Sequence, residues 1–162
     1  LGLAAIAAQT RSLSLSGMVG GISTSSWAAE GPSLALVCAA LFAVLLAENS
    51  RIPVDDPNTH LELTMIHEVM VLDHCGVDFA FIQYGAALKL WVLGGLLVGI
   101  AVPVRTGDAF LDLGAFLIGM LILAVMIGIV ESSMARLRLT RVPAFILGAA
   151  ALAALALVLV MR

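Results

Sequence analysis

Residues 143–161 read PAFILGAAALAALALVLVM, and none of them carries a charge. A helix that is apolar on every side must be enclosed by protein or by lipid. Runs of the same character occupy 32–47, 85–104 and 109–130, the second carrying Lys89 near its start. Each approaches the roughly 20 apolar residues that cross the hydrocarbon core, 32–47 being at the short end. Charged residues make up only 12% of the 162-residue chain, and its mean hydropathy is +1.12. Soluble domains carry about a quarter charged residues, so a soluble globular fold is excluded. A net charge of −3 also leaves no basic footprint for nucleic acid and no polybasic membrane patch.

The expected fold is all-α: a polytopic helical membrane protein with about four complete transmembrane helices. Residues 1–8, LGLAAIAA, read as the tail of a preceding span, followed by a stretch rich in Ser, Gly and Thr up to residue 33. Trp27 suits an interfacial anchor there, and Pro32 suits the first turn of the next helix. Gly95 and Gly99 form a small-xxx-small pattern that permits close helix approach. The whole chain, 1–162, reads as a single membrane domain, the C-terminal half of a longer subunit, with a helical loop at 48–84. Arg51, Lys89, Arg136, Arg138 and Arg141 fall on one side and Arg11, Arg105 and Arg162 on the other. The positive-inside tendency then places the 48–84 loop in the cytoplasm.

The loop gathers most of the chain's carboxylates and all of its histidines. Seven of the eleven carboxylates lie between Glu48 and Asp78, together with all three histidines, His60, His67 and His74. Asp56-Pro57 is a helix start, with an acid at the N-cap and proline at the first helical position, and Thr59 with Glu62 matches a capping box. A helix is therefore expected from about Pro57 to Leu72. Its apolar residues cover most of its circumference, so Glu62, His67 and Glu68 would be partly enclosed. Ionisable groups at the edge of an apolar bundle are costly and generally serve ion movement or pairing.

Other readings of the same residues stand beside that one. His60 and His67 share a helical face but are separated by about 10 Å of rise, too far for one metal ion. His67-Glu68-Val69-Met70-Val71 lacks the final histidine of a zinc-protease motif. Glu62 is either a capping residue alone or part of a relay. Arg51 is an anchor, an ion-pair partner of Glu48 or Asp55, or functional. Glu131 either joins the acidic cluster or marks the membrane interface. His74, beside Asp73 near a turn, reads as solvated. Cys38 and Cys75 sit apart with no CxxC spacing, which fits neither a disulfide framework nor an iron–sulfur site.

The run Ala47-Glu48-x-x-Arg51-x-Pro53-x-Asp55 closely resembles the Ala-Glu-x-x-Arg-x-Pro-Phe-Asp signature of the membrane subunit that anchors the peripheral arm of respiratory complex I, subunit 1 or H. The longer run AENSRIPVDDPNTHLELTMIHEVMVLD resembles that subunit's relative in formate hydrogenlyase and hydrogenase-4 type (group 4 [NiFe]) complexes. Val54 replaces the signature Phe, and Asn58, His60 and His67-Glu68 depart from the quinone-dependent form. The resemblance implies a non-redox subunit that holds the redox module on the membrane and couples it to ion movement. Its expected partners are the hydrogenase large and small subunits, antiporter-like membrane subunits and the lipid bilayer. The [NiFe] centre and Fe–S clusters would belong to those partners, with no cofactor in this chain. Glu48, Asp55, His60, Glu62, His67, Glu68 and Glu131 are the candidate proton relay, and Arg51, Pro53 and Asp56 the candidate structural and ion-pair residues. The expected location is a prokaryotic cytoplasmic (inner) membrane. The alternatives are a quinone-site subunit of a complex I-like oxidoreductase and a purely structural anchor.

Overall fold

The computed structural model describes residues 1–49, 76–104, 106–133 and 142–161. They form six helices: α1 (Gly2–Thr10), α2 (Leu15–Gly21), α3 (Thr24–Glu48), α4 (Val77–Ala101), α5 (Ala109–Ser133) and α6 (Val142–Val160). The last four are each long and apolar enough to cross a membrane. The chain is thus a polytopic helical membrane protein, and no strand occurs among the described residues. The helix expected at 57–72 lies outside them.

Three of the long helices run past the apolar stretches that announce them, because polar residues outside the hydrocarbon core extend a helix without interrupting it. α3 begins at Thr24 rather than at Pro32, since Ser23 and Ser26 form a reciprocal capping box. Pro32 lies inside α3 and leaves a break at Glu30 (φ −127°, ψ 28°). Proline lacks an N–H and its ring crowds the preceding turn, which accounts for the kink. The Ser33 hydroxyl donates to the Glu30 carbonyl at 2.8 Å, meeting part of the hydrogen bonding that the break disturbs. α4 starts at Val77 and stops at Ala101, where Val102 (φ −124°, ψ 77°) leaves the helical region ahead of Pro103. α5 continues through Glu131 to Ser133.

α3 is the centre of the bundle. α6 lies along it in the most extensive helix contact, and α1 touches both. The alanines of α6 make this approach possible: Ala149, Ala153 and Ala156 are buried along one stripe. Small residues let backbones approach closely where lipid is as apolar as any side chain. Ala156 packs with Ala5 and Ile6 of α1 and with Leu34 and Val37 of α3. α4 runs antiparallel on the other flank of α3. Trp27, near the start of α3, donates its indole N–H to the Ile100 carbonyl near the end of α4 at 3.1 Å. This is the pattern of an interfacial tryptophan, with an apolar body and a satisfied polar edge.

α5 packs chiefly on α4, through glycines. A Cβ on Gly94 would sit 3.1 Å from Leu123, and one on Gly119 only 2.6 Å from the γ-carbon of Val98. Gly95 and Gly99 face different neighbours, Phe116 of α5 and Val19 of α2, so they do not form one common packing seam. Val98 is buried and β-branched, and it cannot swing aside freely. Gly119→Ala should therefore destabilise the protein by about 1–3 kcal/mol through overpacking. Gly128, also on α5, has open space around a prospective Cβ. Gly128→Ala should be neutral or stabilising by up to about 1 kcal/mol. Thermal denaturation of the solubilised protein checks the opposite signs.

Candidate functional site

Leu45-Leu46-Ala47 ends the apolar body of α3, and Glu48-Asn49 follows where the helix meets its last unpaired carbonyls. Asn49 supplies its own closure: both its backbone N–H (3.2 Å) and its side-chain Nδ2 (2.9 Å) donate to the Leu45 carbonyl. The Glu48 carbonyl is met from another helix. Lys89 Nζ donates to the Glu48 carbonyl at 2.8 Å and pairs with the Glu48 carboxylate at 2.5 Å. One ammonium thus grips a single residue at two points. Its positive charge also sits favourably at the C-terminal, negative end of α3.

Lys89 reaches this position because α4 overshoots α3. About 18 Å of helix separates Val77 from Lys89, at 1.5 Å per residue. The side chains of both partners stand about half-exposed, 44% for Lys89 and 55% for Glu48. A groove of about 550 Å³ opens beside the pair, with Val44 of α3 and Gly85, Leu88, Val92 and Leu93 of α4 as its apolar lining. The arrangement places the Glu48 carboxylate, paired with the Lys89 ammonium, where the bundle ends.

Glu131 lies in the last turn of α5 and is partly buried. α5 runs antiparallel to α4, with Gly119 against Val98 and Gly94 against Leu123, so Glu131 belongs to the same end of the bundle as Glu48. Asp55, His60, Glu62, His67 and Glu68, with Arg51, Pro53 and Asp56, lie outside the described residues. Among the described residues, no three His, Cys, Asp or Glu side chains converge as a metal-ligand set. Cys38 lines an apolar cavity of about 370 Å³ between α3, α4 and α5, walled by groups such as Phe42, Leu123 and Met126. That setting offers a thiol to no polar ligand.

Lys89 enters the sequence pattern only through the positive-inside balance, and its partner is not evident there. A signal for it exists: a lone ammonium inside an apolar run needs a nearby counter-charge, and Glu48 ends the preceding run.

The family model described as NADH dehydrogenase matches residues 1–162. The chain belongs to the NADH dehydrogenase family. This is the family of complex I subunit 1, the H type, so the chain is a membrane subunit of a complex I-like oxidoreductase. No curated protein and no solved structure shows a significant match. Within this NADH dehydrogenase family member, the Glu48–Lys89 pair is too exposed to be a main source of stability. Pairs of that kind contribute about 0–1 kcal/mol. Lys89→Met should leave the unfolding free energy within about 1 kcal/mol of wild type, measured by denaturation of the solubilised protein.

Proposed function

We propose that the chain is the non-redox, ion-coupling membrane subunit of a membrane-bound [NiFe] hydrogenase complex of the formate hydrogenlyase or hydrogenase-4 type. The observation that carries this reading is the run from Ala47 to Met70. It keeps Glu48, Arg51, Pro53 and Asp55 but has Val54, Asn58, His60 and His67-Glu68 where the quinone-dependent form differs. Membership of the NADH dehydrogenase family supports the membrane-subunit part of the reading. The position of Glu48 at the end of α3, opposite Lys89 and beside a groove, supports its candidacy as the first acid of a relay. Asp55, His60, Glu62, His67, Glu68 and Glu131 are its proposed continuation, with Arg51, Pro53 and Asp56 as structural support.

On this reading, electron transfer and nickel and iron–sulfur chemistry belong to partner subunits, which the chain holds on the cytoplasmic side of a prokaryotic inner membrane. Turnover there shifts charge near the loop, and the acids pass the change toward antiporter-like subunits. Closely spaced ionisable groups couple strongly, which is the physical basis of such a relay.

The family match itself favours a second reading, a quinone-site subunit of a complex I-like enzyme. The two differ in what the mildly solubilised complex contains and does. The hydrogenase reading requires nickel and hydrogen evolution from reduced viologen without quinone dependence. Quinone reduction by a nickel-free complex would overturn it in favour of the second. In the assembled complex, Glu48→Gln should lower ion translocation by about tenfold while viologen-driven electron transfer persists, as expected for a residue in proton transfer. Wild-type translocation in that variant would leave the chain a structural anchor.

A further inference from the structure

We infer that Lys89 is the positioning residue for Glu48: it holds the carboxylate at the mouth of the groove between α3 and α4, so that coupling depends on Lys89 as much as on Glu48. The inference rests on the proposed coupling role of Glu48. A glutamate side chain at a helix end has three rotatable bonds, so its carboxylate can occupy many positions unless a contact fixes it. Proton transfer along a relay requires each group to stay within hydrogen-bond reach of the next. Something must therefore fix the Glu48 carboxylate. Among the described residues, Lys89 does so from a helix 41 positions away in sequence, by contacting both the carbonyl and the carboxylate of Glu48.

Two simpler roles do not account for the whole of this geometry. Capping α3 accounts for the bond to the Glu48 carbonyl but not for the second contact, to the carboxylate, and Asn49 separately covers the Leu45 carbonyl with two donors. Nor does a half-exposed pair hold α3 to α4. That contact is made by buried residues deeper in the bundle, including Leu45, Leu46, Leu97 and Val98. What Lys89 adds is place. It stands on a continuous helix, so its ammonium is delivered to a fixed height, and sites on rigid elements hold tighter geometry than sites on loops. The apolar lining of the groove, Val44, Leu88, Val92 and Leu93, offers the carboxylate no alternative hydrogen-bond donor on that side.

The test uses the whole purified complex in proteoliposomes, with ions moved per electron pair as the readout and electron transfer from reduced viologen measured in parallel. Four variants are compared: E48Q, K89M, K89R and E48Q/K89M. K89M should reduce ions per electron pair by at least about fivefold with electron transfer and assembly retained, and K89R should recover about half of the wild-type ratio. A purely structural role would lower thermal stability and assembly and leave that ratio unchanged. E48Q/K89M should be no worse than E48Q alone, because a residue acting through Glu48 has nothing left to position. If the K89M complex does not assemble, K89Q replaces it, keeping a hydrogen-bond donor without the charge. A wild-type ratio in K89M beside an impaired E48Q would overturn the role of Lys89 and leave that of Glu48 standing. Wild-type ratios in both would overturn the coupling role of Glu48 and the inference with it. Additive losses in the double variant would show that Lys89 acts independently of Glu48, which also overturns the inference.

Discussion

Hydrocarbon offers no water to take up backbone hydrogen bonds, and a chain that enters it must satisfy those groups within itself. Most of the described structure follows from that constraint. The four long helices keep their N–H and C=O groups paired along their length, and polar chemistry is displaced to where helices end. Ser23 caps α3 at its start, Asn49 closes it at its finish, and Asp112 reaches back to the N–H and hydroxyl of Thr106 before α5. Even the break in α3 at Glu30 obeys it, with Ser33 donating to the carbonyl at the kink. Glu48 and Lys89 meet at such an end, where a charge is least costly and is still within reach of the membrane interior.

The same constraint removes the usual reason for helices to associate. With lipid outside as apolar as leucine inside, contact is decided by how closely two backbones can approach. The alanine stripe of α6 against α3, and Gly94 and Gly119 between α4 and α5, supply that approach. Large side chains such as Ile122, Leu147 and Phe110 point outward instead. This inverts the distribution of a soluble domain and suits a bundle dissolved in lipid.

The spans were legible because lipid selects residues by a single property, and an apolar run of the right length is that property written out. Their limits were less legible. Pro32 reads as a helix start, yet Ser23 and Ser26 extend α3 before it and the proline becomes a kink. Val77 to Tyr84 reads as loop because it mixes Asp78 and Gln83 with aromatics, yet α4 runs through it. Gly95 and Gly99 form a recognisable motif, yet the tightest glycine contact between the long helices is Gly119 on Val98. Gly119 also falls in a small-xxx-small spacing with Ala115, so the pattern does not say which of the two seams is used: that depends on how far one helix is shifted along another, and a linear sequence does not encode that shift locally.

The candidate site divides in the same way. Glu48 was legible from a motif contiguous along the chain, whereas Lys89 lies 41 residues away and becomes informative only when α3 and α4 are laid side by side. That difference bears on function. A contiguous signature is read from neighbouring residues in one segment, and under the proposed function Val54, Asn58 and His60 are where that segment departs from the quinone-dependent form. A pair formed between two spans depends instead on bundle geometry and is indifferent to the electron acceptor. The proposed coupling role of Glu48 therefore places the same demand on Lys89 under the hydrogenase reading and the quinone reading alike, since the contact between them is made by the spans and not by the loop.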